Sequence, residues 1–267
     1  MKIFVKESRE NEFLSEKLEN VFLQQGIDIN NYIWFFIRYF DEKNHIRLRI
    51  KNCNSFYNIY KNIGDIFRNL NLNGFINYAT IETYEPEVER YGGQKLIELA
   101  ENIFMSDSIL VLNIIKNIPK IQNEFSLVLI SSLCIISMLD SFEMNHENKI
   151  EFLKKLTNKE KYIDEFRLIR KKVISLFINN NFIWHYDFCF SSISKYIEIR
   201  NQKIYEYNVI MNTCISSNEL YNSKDEIITS FIHMHCNRLF GTSNELENKS
   251  ISYALHILNS LSFHLKK

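Results

Sequence analysis

Residues 32–51 read YIWFFIRYF, DEKN, HIRLRIK. Two runs rich in β-branched and aromatic residues, Tyr32–Phe40 and His45–Lys51, flank the polar segment Asp41–Asn44. That pattern suits a hairpin of two strands. Side chains alternate across a strand, so His45, Arg47 and Arg49 share one face while Ile46, Leu48 and Ile50 share the other. The apolar face is core. On the opposite face two planar guanidinium forks make a clamp for carboxylates, unless the face is simply solvated.

Outward from the hairpin, Lys2–Lys6 (KIFVK) suits a strand and Asn11–Gln24 an amphipathic helix ended by Gly26. Ser55–Leu70 has helical spacing, with Phe56, Ile59, Tyr60, Ile63 and Phe67 on one face. Phe75–Tyr84 (FINYATIETY) reads as a third, central strand. After Gly92 and Gly93 the pattern becomes helical, over Lys95–Lys116, Glu124–Asp140, Lys149–Leu156, Lys159–Asn179, Ile193–Thr213, Lys224–Phe240 and Glu245–Leu265. Neither a linker-like nor a repetitive segment interrupts it. The expectation is one α+β domain over residues 1–267, with a small, mostly antiparallel sheet in the N-terminal third packed by a large helical layer.

Bulk properties narrow the function classes. Lys plus Arg and Asp plus Glu each number 32, so the formal charge is zero. Nucleic-acid binders usually carry a basic excess, and nothing in this balance asks for direct nucleic-acid contact. The cysteines Cys53, Cys134, Cys189, Cys214 and Cys236 lie far apart without CxxC pairing, which argues against a disulfide framework or zinc ribbon. The charged N-terminal segment MKIFVKESRENEF holds no secretory apolar core, and FSLVLISSLCIISML (Phe125–Leu139) is short for a membrane span. A soluble, reduced, cytoplasmic protein without a membrane partner is expected.

Two further segments carry chemistry. In YEPEVERYGG (Tyr84–Gly93) a Glu-Pro turn leads to Glu87 and Arg90, three apart, so one helical turn sets them side by side. The glycine pair implies a tight backbone or a close approach. In HMHCNRLFG (His233–Gly241), His233 and Asn237 share a helix face and His235 points elsewhere. Zinc there would need four ligands, and only His233 and Cys236 have helical spacing, so no metal is expected. His185, in FIWHYDF, reads as a packed histidine. Among the motifs sought there is no GxSxG elbow, phosphate loop or dinucleotide fingerprint.

Taken in order, WFFIRYFDEKNHIRLRI, YEPEVERYGG, DSILVL (Asp107–Leu112) and HMHCNRLFG resemble the C-terminal, glutamate-elimination domain of nisin-type lantibiotic dehydratases, which also occurs as separate proteins in thiopeptide pathways. The resemblance runs from about Trp34 to Gly241. It implies a lyase that expels glutamate from glutamylated Ser or Thr of a ribosomal precursor peptide, leaving dehydroalanine or dehydrobutyrine. A separate tRNA-dependent glutamylating enzyme would then be the partner, and no cofactor is implied. The family's elimination residues match Arg47, Arg49, Glu87, Arg90 and His233, with the nearby His235 as a competing assignment for the last. The arginines would hold glutamyl carboxylate and stabilise the enolate or the leaving glutamate. Glu87 would orient an arginine or hold the glutamyl amine, and His233 would transfer a proton as base or acid.

Two alternatives stay open at this level. A pyridine synthase of the same superfamily joins two dehydroalanines by a formal aza-cycloaddition, but it has no glutamate to hold and so no need of three arginines with a paired acid. A non-catalytic scaffold would bind the precursor peptide or the glutamylating enzyme through aromatic surface such as Tyr205, Tyr207 and Tyr221. So apolar a chain is also compatible with a homodimer.

Overall fold

In the computed structural model the described residues are 1–24, 32–51, 64–65, 67–71, 74, 76–118, 126–158, 160–178 and 193–265. Most of the helix expected at Ser55–Leu70 lies outside them, as do Gly26, Cys53, His185 and Cys189.

The hairpin forms where the alternation placed it. Strands β2 (Ile33–Phe40) and β3 (Asn44–Lys51) pair antiparallel, from Ile33 opposite Lys51 to Phe40 opposite Asn44. At its tip Asp41 Oδ1 accepts the Glu42 N–H at 2.7 Å, the local bond that makes aspartate a turn residue. With β1 (Lys2–Val5) and β4 (Ile76–Thr80) these strands make an antiparallel sheet of order β2-β3-β1-β4. The third strand is therefore not central. It lies at the sheet edge and stops at Thr80, because its ladder to β1 ends at the Lys2–Thr80 pair. Ile81–Tyr84 leave the sheet and carry the chain toward the helices.

A helical run, α1, joins β1 to β2's side of the sheet. It is tight over Glu7–Arg9, α-helical over Glu10–Glu12, wide over Phe13–Lys17 and α-helical again over Leu18–Gln24. The helical layer follows as α2 (Ile97–Lys116), α3 (Leu127–Ser141), α4 (His146–Leu156), α5 (Ile163–Ile178), α6 (Ser194–Ser216), α7 (Lys224–Phe240) and α8 (Asn244–Leu265). Ser126 and Asn145 cap α3 and α4, and Ser223 with Glu226 forms a reciprocal capping box on α7. Helix α6 packs on α2, and α8 packs on α3, α4 and α5. Among the described residues no helix is long and apolar enough to cross a membrane.

The sheet docks onto this layer through its β2 edge, where unpaired backbone groups would otherwise be buried without partners. Asn237 of α7 substitutes for a neighbouring strand: its Oδ1 accepts the Arg38 N–H at 3.0 Å and its Nδ2 donates to Arg38 O at 2.8 Å. Ser108 Oγ accepts the Phe36 N–H at 3.2 Å, and Arg238 Nε donates to Phe36 O at 3.0 Å. The segments DSILVL and HMHCNRLFG thus meet at one strand. Beneath them Asp107 is fully buried with His235, Arg238 and Arg200, at 2.8, 2.9 and 3.6 Å.

The two sheet faces differ. Trp34, Phe36, Ile46 and Leu48 are buried, and on their face Arg38 Nη1 pairs with Glu10 Oε2 of α1 at 3.1 Å. The opposite face carries Phe35, His45, Arg47 and Arg49; Phe35 packs against Phe104 of α2, and His45 is buried against Phe4 and Tyr39. Tyr207, named as docking surface only under the scaffold alternative, is wholly buried and donates to Tyr91 O at 2.9 Å; Tyr205 and Tyr221 are exposed.

Candidate active site

Arg47 and Arg49 project from alternate positions of β3, each against a tyrosine ring. The Arg47 guanidinium carbon lies 3.4 Å from the centroid of Tyr39, and that of Arg49 lies 5.3 Å from the centroid of Tyr84. Aromatic faces attract guanidinium charge and hold its plane. Arg49 is half-buried, and its Nη1 is buried with no hydrogen-bond partner among the described residues. Burial first, then the adjacent Arg47, pulls its pKa below the usual arginine range, while Glu82 acts in the opposite direction. Arginine stays charged regardless, so this is a cation with an unused donor.

Tyr84 links the arginines to the next segment. Burial, followed by the carboxylates of Glu101 and Glu87, pushes its phenol pKa up and keeps it protonated. The chain then turns through Glu85–Gly93, with Tyr91 N–H bonded to Glu87 O and Gly93 N–H to Val88 O. Arg90 Nη1 pairs with Glu87 Oε2 at 2.8 Å, as their spacing requires. Gly92 has φ 84°, and a Cβ there would come within 2.7 Å of Leu96 Cδ1, so this turn needs glycine.

Arg90 also reaches α7, donating from Nε to Ser230 Oγ at 3.1 Å. Three residues on, one turn along the same side of the helix, stands His233. Its Nδ1 meets Glu247 of α8 at 2.9 Å from Oε2 and 3.1 Å from Oε1. Nδ1–H is therefore the donor, and in the neutral tautomer the lone pair lies on Nε2. The His233 side chain is 43 % exposed, whereas His235 is closed to solvent against Asp107. Of the two histidines only His233 can meet a substrate without breaking the core.

The five expected site residues thus fall in two groups. Arg47 and Arg49 stand side by side on the sheet; Glu87, Arg90 and, through Ser230, His233 follow the turn and α7. Among the described residues no hydrogen bond or ion pair joins the groups directly, and Tyr84 is the side chain that touches both fields. Tyr84, Ser230 and Glu247 were missed as site residues. Tyr84 against Arg49, Ser230 against Arg90 and Glu247 against His233 each meet across different elements, and only Ser230 carries a signal, its i, i+3 spacing to His233.

A family model described as the C-terminal part of lantibiotic biosynthesis dehydratases matches residues 1–258. The chain belongs to that family. It is 30 % identical over 269 residues to the subtilin biosynthesis protein SpaB of Bacillus subtilis, covering 97 % of this chain and 25 % of SpaB. To the nisin biosynthesis protein NisB of Lactococcus lactis it is 32 % identical over 261 residues, covering 97 % of this chain and 25 % of NisB. Among solved structures, the tRNA-dependent lantibiotic dehydratase MibB of Microbispora superposes with a TM-score of 0.83 at 18 % identity, covering 100 % of this chain and 28 % of that one. The likeness to MibB establishes a shared fold. The chain spans about a quarter of the length of the relatives it matches.

Proposed function

We propose that this chain carries out the elimination half of peptide dehydration, expelling glutamate from a glutamylated Ser or Thr of a ribosomal precursor peptide. Glutamylation would belong to residues outside this span, on the same polypeptide or on a tRNA-dependent partner. The reading is carried by Arg49, whose buried Nη1 has no hydrogen-bond partner among the described residues and which stands beside Arg47 on one sheet face. A half-buried cation with a buried, unused donor costs stability unless an anion completes it. The glutamyl carboxylate is such an anion.

In this mechanism Arg47 and Arg49 hold the glutamyl group. Arg90, kept in place by Glu87 and Ser230, faces the negative charge that develops on the substrate. Nε2 of His233 takes the Cα proton, with Nδ1 anchored to Glu247. The released electron pair becomes the Cα–Cβ double bond, the Cβ–O bond breaks, and glutamate departs as a carboxylate. No cofactor is required by that balance.

The test is intact-mass analysis of a synthetic peptide bearing a glutamyl-serine ester, incubated with the chain. Loss of glutamate that leaves the site one water lighter than serine supports elimination. An unchanged ester, with ring closure of a peptide already carrying two dehydroalanines, would replace this reading with the pyridine-synthase activity. An unchanged ester with binding of either peptide would make the chain a scaffold.

A further inference from the structure

His45 opens the HIRLR strand and has no part in the chemistry above, yet its side chain is fully buried beside Arg47. Its two ring nitrogens are assigned by their neighbours. Nδ1 lies 3.0 Å from Lys43 O, a carbonyl that can only accept, so Nδ1 carries the proton. Nε2 then holds the lone pair, and Arg47 Nε donates to it at 3.2 Å. A proton on Nε2 would set two N–H groups face to face. Among the described residues no better acid partner is present: Asp41 Oδ1 lies 3.7 Å from Nδ1 and is exposed, while Phe4 and Tyr39 pack on the ring.

Arg47 is thereby held on two sides, by the Tyr39 face beneath its guanidinium and by His45 at its Nε edge. Its Nη2 is 4.0 Å from Asp41 Oδ2, beyond hydrogen-bond range. Apart from this loose ion pair the terminal nitrogens have no hydrogen-bond partner among the described residues and can take an anion, while the Nε donor that would otherwise rotate the fork is occupied. We propose that His45 is a positioning residue: a neutral imidazole acting as hydrogen-bond acceptor, it fixes the Arg47 fork for the substrate carboxylate. The consequence for turnover rests on the elimination reading; the orientation of Arg47 does not.

Two readouts separate those parts. In ¹⁵N NMR of the chain, His45 should show the Nδ1–H tautomer at neutral pH, and the Arg47 Nε–H should exchange slowly. His45→Phe keeps the ring bulk but removes the acceptor, and should speed that exchange at least about tenfold; His45→Gln, which keeps an acceptor, should restore most of the protection. With the glutamyl-serine peptide, His45→Phe should raise KM about tenfold with kcat less affected, and Gln should recover it to within about threefold. An Nε2–H tautomer, or unchanged Arg47 exchange in His45→Phe, would overturn the proposal. So would equal loss in Phe and Gln, which would reduce His45 to packing. Slow Arg47 exchange with no wild-type turnover would uphold the positioning and remove the elimination reading alone.

Discussion

His235 donates from Nδ1 to Asp107 Oδ1 across 2.8 Å, and both side chains are closed to solvent. Arg238 Nη1 occupies the other carboxylate oxygen at 2.9 Å, and Arg200 Nη1 stands 3.6 Å from the first. A single buried carboxylate thus holds together α2, α6 and α7, the last being the helix that presents His233.

Replacing that carboxylate should therefore be costly. Asp107→Asn leaves the buried arginines without a counter-charge, and removal of one partner from a buried ion cluster typically costs about 3–5 kcal/mol. Urea unfolding should show a midpoint lowered accordingly. A loss under about 1 kcal/mol would mean that the cluster is hydrated or unpaired in solution.

The same pair makes stability depend on pH. Burial opposes the charge on His235, but Asp107 outweighs it and raises the pKa from 6.5 to about 9. A raised folded-state pKa contributes stability that is fully present below about 6.5 and is lost as pH rises through about 9. The loss over that window amounts to at most about 3 kcal/mol. Urea midpoints should fall between pH 6.5 and pH 9, and His235→Asn should flatten the slope. A midpoint that rises over this range would show that His235 is neutral in the folded chain.

Asn237 offers a local test of the sheet edge. Asn237→Leu is close in size but leaves the buried N–H and carbonyl of Arg38 without partners, at a cost of about 1–3 kcal/mol. Hydrogen exchange at the Arg38 amide should accelerate beyond what the global destabilisation explains. Unchanged protection there would show that another group closes the β2 edge.

Much of this architecture is written in periodicity. The alternation in HIRLRIK separates Ile46 and Leu48 from Arg47 and Arg49, and the structure places the two sets on opposite faces. Glu87 and Arg90 pair because i, i+3 neighbours in one turn must meet. What the pattern withheld is tertiary. The edge position of β4 depends on which strand β1 accepts as a neighbour, and nothing in FINYATIETY states it. Asn237 and Arg238 were visible only as part of a motif, since their partners on β2 lie about two hundred positions earlier. Glu247 sits in a polar stretch, and its meeting with His233 depends on how α7 and α8 cross.

Arg49 carries the central claim, because its buried and unused donor is a stability cost that only a bound anion repays. The most direct measurement pairs the thermal midpoint of Arg49→Met with its kcat/KM on the glutamyl-serine peptide. Methionine fills a similar volume without the unpaired charge, so the midpoint should hold or rise. Turnover should fall by about a hundredfold or more, the usual effect of removing one preorganised charge partner. Elimination within twofold of wild type, at any stability, would contradict the claim that this arginine pair grips the glutamyl group.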